Sequence, residues 1–243
     1  GAAPNPGTGA MPGASFSKKA VVVQRAELVA STLKQKPPGK RGEFVYSNFG
    51  YIIAGRVIEK LAEGSPDLKG LSYEQLLKRL VILRGRKGAG EGFGFGPPLK
   101  GIQGHKKTLF GGVKPAGTGA GSDNPAVFAS AGTGHVSLSG HALLLLPFLG
   151  EPDALPAAMR DKLLAPYPDN RSDYALGWGV AEIDPAGKVF THNGSNTMWF
   201  SQVTLAPDLG VVIIVNANQY DEAAMKAVSG LTRTLLGKVS ERR

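Results

Sequence analysis

The chain contains no cysteine. That removes disulfide cross-links, thiolate nucleophiles and cysteine-ligated zinc together, and it fits an oxidising compartment as well as a reducing one. No apolar run approaches the ~20 residues of a membrane-spanning helix. Leu143 to Leu149 is broken by Pro147, and Leu209 to Val215 is short and strand-like. Acidic residues are few beside basic ones, 19 against 28, for a net charge of +9. Such an excess concentrates anionic partners around the molecule without choosing among them. Apart from Arg84-Gly85-Arg86-Lys87, Lys106-Lys107 and Arg242-Arg243 the cations are scattered and no aromatic-interleaved stripe accompanies them, so nucleic acid is not expected as a partner. Gly1 to Gly13 lacks the charged and apolar regions of a signal peptide and reads as loop; an export signal, if there is one, lies upstream.

What is present is a globular composition, 42% hydrophobic, with 34 glycines and 17 prolines that imply many turns and long loops. Apolar positions within 18–36 suit one amphipathic helix ended by Pro37-Pro38-Gly39. Ile52, Ile53, Val57, Ile58 and Leu61 share a face of a second helix over 50–62. Ser72 with Gln75 forms a capping-box signature for a third, to about Leu83. Residues 85–135 are rich in glycine, with 15 of the 34, show little periodicity and read as a functional loop region. Helices are expected near 139–149 and 155–164, and no solenoid-length repeat is visible.

The last stretch changes character. Short β-rich runs at 175–183, 188–191, 199–205 and 210–216 are separated by Asp-Pro-Ala-Gly, Asn-Gly and Pro-Asp-Leu-Gly, the chemistry of turns in an antiparallel meander. A final helix over 222–236 places Met225, Val228, Leu231 and Leu235 at helical spacing to cover one sheet face. Helices first and strands last predict an α+β fold with an antiparallel sheet, flanking helices and a helical, loop-rich layer. We read the chain as an N-terminal Gly/Pro-rich loop (1–17), a helical and loop-rich region (18–170) and a sheet with its C-terminal helix (171–243), together one catalytic domain.

Two constellations carry chemistry. Tyr46-Ser47-Asn48 stands where an extended run meets a helix, a position that can aim a phenol and an amide into one cleft; on its own the triplet also suits a plain helix cap. Thr191-His192-Asn193-Gly194-Ser195-Asn196 leaves one strand for the next. A hydrogen-bonding residue followed by glycine on a strand edge suits acyl chemistry, because glycine admits a substrate backbone and the strand can pair with it; a histidine in a β-turn is the plainer alternative.

The run Phe44 to Gly55 with Ile58-Glu59 and Ser72 to Leu77, the stretch His192-Asn193-Gly194 with the strand pair ending in Val215-Asn216, and the matches Tyr174 to Gly179 and Ser130 to Ser137 come in one order. Together they resemble the penicillin-binding, class C β-lactamase-like serine hydrolases, including related esterases and DD-peptidases. The resemblance runs from about Ala20 to Leu236. It implies a β-lactamase/transpeptidase-like fold, a serine acylated by its substrate beside a lysine, Tyr46 as proton acceptor, and Asn48 and His192 positioning the acyl group. Gly194, Ser195 and Asn193 follow as substrate-binding residues. The substrate implied is a β-lactam, a small ester or a D-amino-acid peptide, with no cofactor and no metal. A periplasmic or extracellular setting follows from the resemblance alone. His192 stands where β-lactamases proper have Lys-Thr-Gly, which tilts the expectation toward an esterase or peptidase. A catalytically silent binding module for cell-wall peptide or a protein partner is the rival reading.

The first family motif, Ser-x-x-Lys, puts a hydroxyl one helical turn from an ammonium. Ser15-Phe16-Ser17-Lys18 has that spacing but stands only 31 positions before Tyr46. In the family a much longer segment intervenes, so the expectation is that the nucleophile segment is missing from this chain and the fold is incomplete at its N-terminus. The meander would then show a bare edge and an exposed apolar face, covered either by an N-terminal fragment of the same protein or by a rearrangement of the domain.

Overall fold

A computed structural model describes residues 18–37, 39–40, 45–119, 121–150, 155–169 and 172–242. The expected 1–17 loop, with Ser15, lies outside the described residues. The chain forms two compact units, one of Gly1–Arg84, Phe93–Leu99 and Thr118–His135, the other of Gly85–Gly92, Lys100–Gly117 and Val136–Arg243.

The first unit is helical. Helix α1 (Val21–Thr32) buries Arg25, Val29 and Thr32. Helix α2 (Asn48–Ala62) buries Phe49, Ile52, Gly55, Glu59 and Ala62 at steps of three and four, which is one face of a helix. Val29, Phe49, Ile52, Val127 and Phe128 form the shared core. Helix α3 (Tyr73–Leu77) opens on the expected capping box: Ser72 N–H donates to Gln75 Oε1 at 2.8 Å and Gln75 N–H to Ser72 Oγ at 3.4 Å. The helix does not continue regularly to Leu83. Lys78–Ile82 is a π-turn, closed by Leu83 N–H on the Lys78 carbonyl at 2.9 Å.

A buried ionic network, not expected from the sequence, ties these helices. Arg25 is fully buried and its guanidinium donates to Glu59 and to Glu74. Arg56 donates to Glu59 Oε2 at 3.1 Å, Tyr73 N–H to Glu59 Oε1 at 3.0 Å, and the Arg25 guanidinium stands 5.7 Å over the Tyr73 ring. Burial pushes the Tyr73 phenol above its ordinary range, against the opposing pull of Arg25.

The second unit holds a four-stranded antiparallel meander in sequence order: β1 (Gly179–Ile183), β2 (Gly187–Ser195), β3 (Phe200–Ala206) and β4 (Val211–Ala217). The period-two alternation of strands sorts its side chains cleanly. Val189, Phe200, Ile213 and Val215 pack against Val228 and Leu236 of helix α6 (Glu222–Ser240). Phe190, Val203 and Leu205 face the other way, onto Trp178, Leu145 of helix α4 (Leu138–Leu145), Phe148, Leu149 and Leu164 of helix α5 (Ala157–Leu164). The exposed apolar face anticipated from the sequence therefore does not occur, because segments before and after the sheet cover both sides. The outer edge of β4 does lack a strand partner among the described residues.

Two further corrections are local. The run expected as strand from Ala175 begins only at Gly179, because Gly177 at φ 93° turns the chain and Ala175 N–H closes on the Trp178 carbonyl at 2.7 Å. Asn193-Gly194, expected as a turn, lies inside β2 and pairs with Gln202 and Ser201. The turn is Asn196 to Trp199, where Asn196 Oδ1 accepts from Met198 and Trp199 N–H at 3.1 and 3.2 Å and Thr197 takes φ 73°.

Candidate active site

Tyr46 and Asn48 belong to the first unit. Ser47 is the N-cap of α2, accepting from Gly50 N–H at 3.2 Å, which fixes the residues on either side of it. The Tyr46 side chain is exposed and its hydroxyl donates to Asn48 Oδ1 at 3.2 Å. The same amide turned by half a rotation would present its Nδ2 donors to a phenolate, so Asn48 can serve both protonation states of Tyr46.

His192, Asn193, Gly194 and Ser195 belong to the second unit, at the end of β2. Pairing with β1 stops at Thr191 opposite Gly179, so these four residues have no strand partner on that side among the described residues. The His192 ring is held by two contacts. Its Nδ1 lies 2.8 Å from the Gly177 carbonyl, and Trp178 meets it edge to face with centroids 6.2 Å apart. A carbonyl only accepts, so Nδ1 carries a proton, and Nε2 is left to accept when the ring is neutral and to donate when it is charged. The loop Tyr174 to Gly179 thus sets the tautomer of the histidine, a role that local sequence signals do not reveal because Gly177 is 15 positions away.

Alternation divides the four. His192 and Gly194 lie on the sheet face of Phe190 and Val203, whereas Asn193 and Ser195 lie on the face of Val189 and Phe200. Among the described residues a Cβ at Gly194 would meet nothing within 4 Å, so no described neighbour requires glycine there and the position leaves room for a ligand. Ser195 Oγ donates to the Trp199 carbonyl at 2.7 Å and accepts from Thr197 N–H at 2.9 Å, which shapes the turn.

Two residues escaped the sequence reading. His141 lies on α4 one turn before Leu145, hence on the helix side that packs under the sheet. Burial pushes its imidazole below the ordinary value, and the charge of His192 adds to that. A second Ser-x-x-Lys spacing, Ser31 to Lys34, ends α1, and Ser31 Oγ donates to the Leu28 carbonyl at 2.8 Å. No cluster of histidine, aspartate or glutamate among the described residues is arranged to hold a metal ion. No helix of the described residues is long and apolar enough to cross a membrane. A cavity of about 460 Å³ bordered by Phe148, Leu149, Arg160, Leu164 and Phe190 includes none of the motif residues, so the site is defined by the strand end and its held ring.

The sequence matches the Beta-lactamase family over residues 1–233. Comparison with curated proteins finds no match. The fold is similar to that of the octameric penicillin-binding protein homologue from Pyrococcus abyssi, at TM-score 0.65 and 20% identity, covering 95% of this chain and 53% of that one. It is similar also to the penicillin binding protein from Bacillus halodurans, at TM-score 0.65 and 20% identity, over 89% of this chain and 64% of that one. A D-stereospecific amidohydrolase from Streptomyces sp. aligns at TM-score 0.62 and 19% identity, over 91% of this chain and 64% of that one. The chain thus spans between about half and two thirds of the length of these structures.

Proposed function

Because the chain belongs to the beta-lactamase family, we propose that it supplies the proton-transferring and substrate-orienting groups of a serine acyl-hydrolase, acting on a β-lactam, a small ester or a D-amino-acid peptide. One observation supports this most. β2 outruns β1 by His192 to Ser195, leaving a backbone edge beside a ring already held by Gly177 and Trp178. An extended acyl substrate can add to such an edge as a strand, with Gly194 giving it room.

In this reading a serine outside the described residues attacks the acyl carbon. As the Tyr46 oxygen, held by Asn48, takes the serine proton, the Tyr46 hydroxyl gives its own to the leaving group; water then attacks the acyl-serine ester, passing a proton to Tyr46 while Tyr46 returns one to the serine oxygen. His192 orients the substrate through Nε2, accepting from an amide when neutral and donating to a carboxylate when charged. Asn193 contacts the substrate from the other side of the strand, and Ser195 holds the turn that ends it. The outer edge of β4 takes a strand from another part of the same protein.

The rival reading, a binding module of the same fold, is favoured by one feature. Ser31, in the Ser-x-x-Lys spacing that lies within the described residues, spends its hydroxyl proton on a backbone carbonyl. The two separate in one experiment. The 243-residue chain alone is expected not to hydrolyse nitrocefin or p-nitrophenyl esters. With an upstream segment of the protein added, a fluorescent penicillin or fluorophosphonate should label that segment and turnover should appear. Label on Ser15 or Ser31 would move the nucleophile into this chain. A complete assembly that binds peptide without label or turnover would leave the binding module.

A further inference from the structure

Within the loop region of the second unit, His105–Lys107 and Val113–Pro115 form an antiparallel arm, with His105 opposite Pro115, Lys106 opposite Lys114 and Lys107 opposite Val113. Its base is fastened. His105 N–H donates to the Met198 carbonyl at 3.1 Å, His105 Nδ1 lies 3.0 Å from the Asn218 carbonyl, and Asn218 Nδ2 donates to the Gln103 carbonyl at 3.4 Å. Gly104 lies so close on Trp199 that a Cβ would stand 2.5 Å from the indole. The tip is closed by Thr108 N–H on the Gly112 carbonyl at 2.8 Å and by Gly111 at φ 80°.

This fastened arm presents its largest apolar side chains to water. Leu109 is 100% exposed and Phe110 99%, with Ile102 at 75% near the base. Leu109 and Phe110 are adjacent, so the two make one contiguous apolar patch, the kind of surface that marks an interaction site. The segment that forms it carries charge of one sign: from Gly92 to Ser122 there are four lysines, Lys100, Lys106, Lys107 and Lys114, and no aspartate or glutamate. Lys106 and Lys114 are directly opposite each other, an arrangement unfavourable in a free hairpin that an anionic partner relieves. Lys107, on the other face of the arm, lies beside Asp221 and Glu222 and is already compensated in part.

We propose that this arm docks the protein on an anionic lipid bilayer, with Leu109 and Phe110 inserted at the headgroup boundary and Lys106 and Lys114 on the anionic headgroups. A protein groove could take the apolar tip, but would have to be acidic and deep enough for a two-residue wedge. A bilayer of anionic lipid offers both features together, and the attachment is peripheral because two side chains reach only the interfacial layer. An aromatic residue beside lysines is the side-chain set that favours that layer.

The test is co-sedimentation of the 243-residue chain with vesicles of phosphatidylcholine alone and of phosphatidylcholine with phosphatidylglycerol. Binding is expected only with the anionic lipid, and weaker at high salt. Leu109→Ser with Phe110→Ser should weaken it about ten-fold or more, and Lys106→Gln or Lys114→Gln about five-fold each. Since the Leu109 and Phe110 side chains are almost fully exposed and the lysine substitutions are at the surface of the arm, these variants should keep the parent's circular dichroism. Phe110→Trp adds a local readout: its emission should shift to the blue on anionic vesicles and be quenched by brominated lipid beyond the parent's own two tryptophans. Equal binding to neutral vesicles, binding untouched by the tip substitutions, or no binding by a folded chain would each overturn the proposal. So would tip-dependent self-association without lipid, which would assign the arm to a contact between copies.

Discussion

Replacing Arg25 with methionine should loosen the helices that carry the Tyr46 motif, by an amount that the network itself sets. The Arg25 side chain is fully buried and that of Glu59 is 2% exposed, so neither charge is shielded by water. Breaking such a pair from one side costs about 3–5 kcal/mol, because the surviving charge is left without its partner. Glu59 would still keep Arg56 at 3.1 Å and Tyr73 N–H at 3.0 Å. Glu74, at 18% exposure, can turn outward. Those residual partners place the cost at the lower end, about 3 kcal/mol. If α2 and α3 open together, their amides should exchange with deuterium about a hundred-fold faster. Peptide-level exchange over 48–62 and 73–77 reads this directly. Arg25→Met combined with Glu59→Gln and Glu74→Gln should recover part of the loss, since no carboxylate is then left without its partner and the amide oxygen at position 59 still accepts from Tyr73 N–H and Arg56. Unchanged exchange in the single variant, or a triple variant worse than the single one, would refute the reasoning.

Tyr46→Phe, in an assembly that holds the nucleophile, should lower turnover of a chromogenic ester by about two to four orders of magnitude; the phenol is exposed and its hydrogen bond to Asn48 lies at the surface, so melting should be unchanged. The depressed His141 imidazole binds a proton less readily folded than unfolded. The stability it lends is therefore complete above the ordinary histidine value, about 6.5, and is lost as the pH falls from there through its folded value. Thermal melts followed by tryptophan emission between neutral and acidic pH should show that slope, and His141→Leu should flatten it. Gly104→Ala should destabilise the arm and the turn behind it by about 1–3 kcal/mol, because the added carbon collides with the Trp199 ring; denaturant melts read by tryptophan emission check this.

The sequence was most readable where neighbours in the chain decide the outcome. Periodicity located the helices around Val29, Ile52 and Val228, and the capping box at Ser72 is formed as its spacing requires. The α+β character and the order of the four sheet strands follow from the same kind of signal. What escaped depends on partners far away in sequence. Asn193-Gly194 has turn chemistry, yet pairing with Ser201 and Gln202 keeps it extended. Arg25, with no acidic residue next to it in the chain, finds its carboxylates 34 and 49 positions on. The arm at 105–115 has no signature in the sequence, because three-residue strands leave no periodicity to detect. At the site, residue types marked Tyr46 and His192, but the Gly177 carbonyl that fixes the ring and the second imidazole at His141 become visible only in three dimensions.

The central proposal is that Tyr46 and His192 both take part in turnover of one acyl substrate. In an assembly shown by covalent labelling to contain the nucleophile, kcat/KM for a p-nitrophenyl ester should be measured for Tyr46→Phe, His192→Ala and the two combined. Residues that act together on one transition state are not additive, so the double variant should lose little more than the worse single one. Losses that simply multiply, or a His192→Ala enzyme with unaltered kcat/KM, would contradict the account.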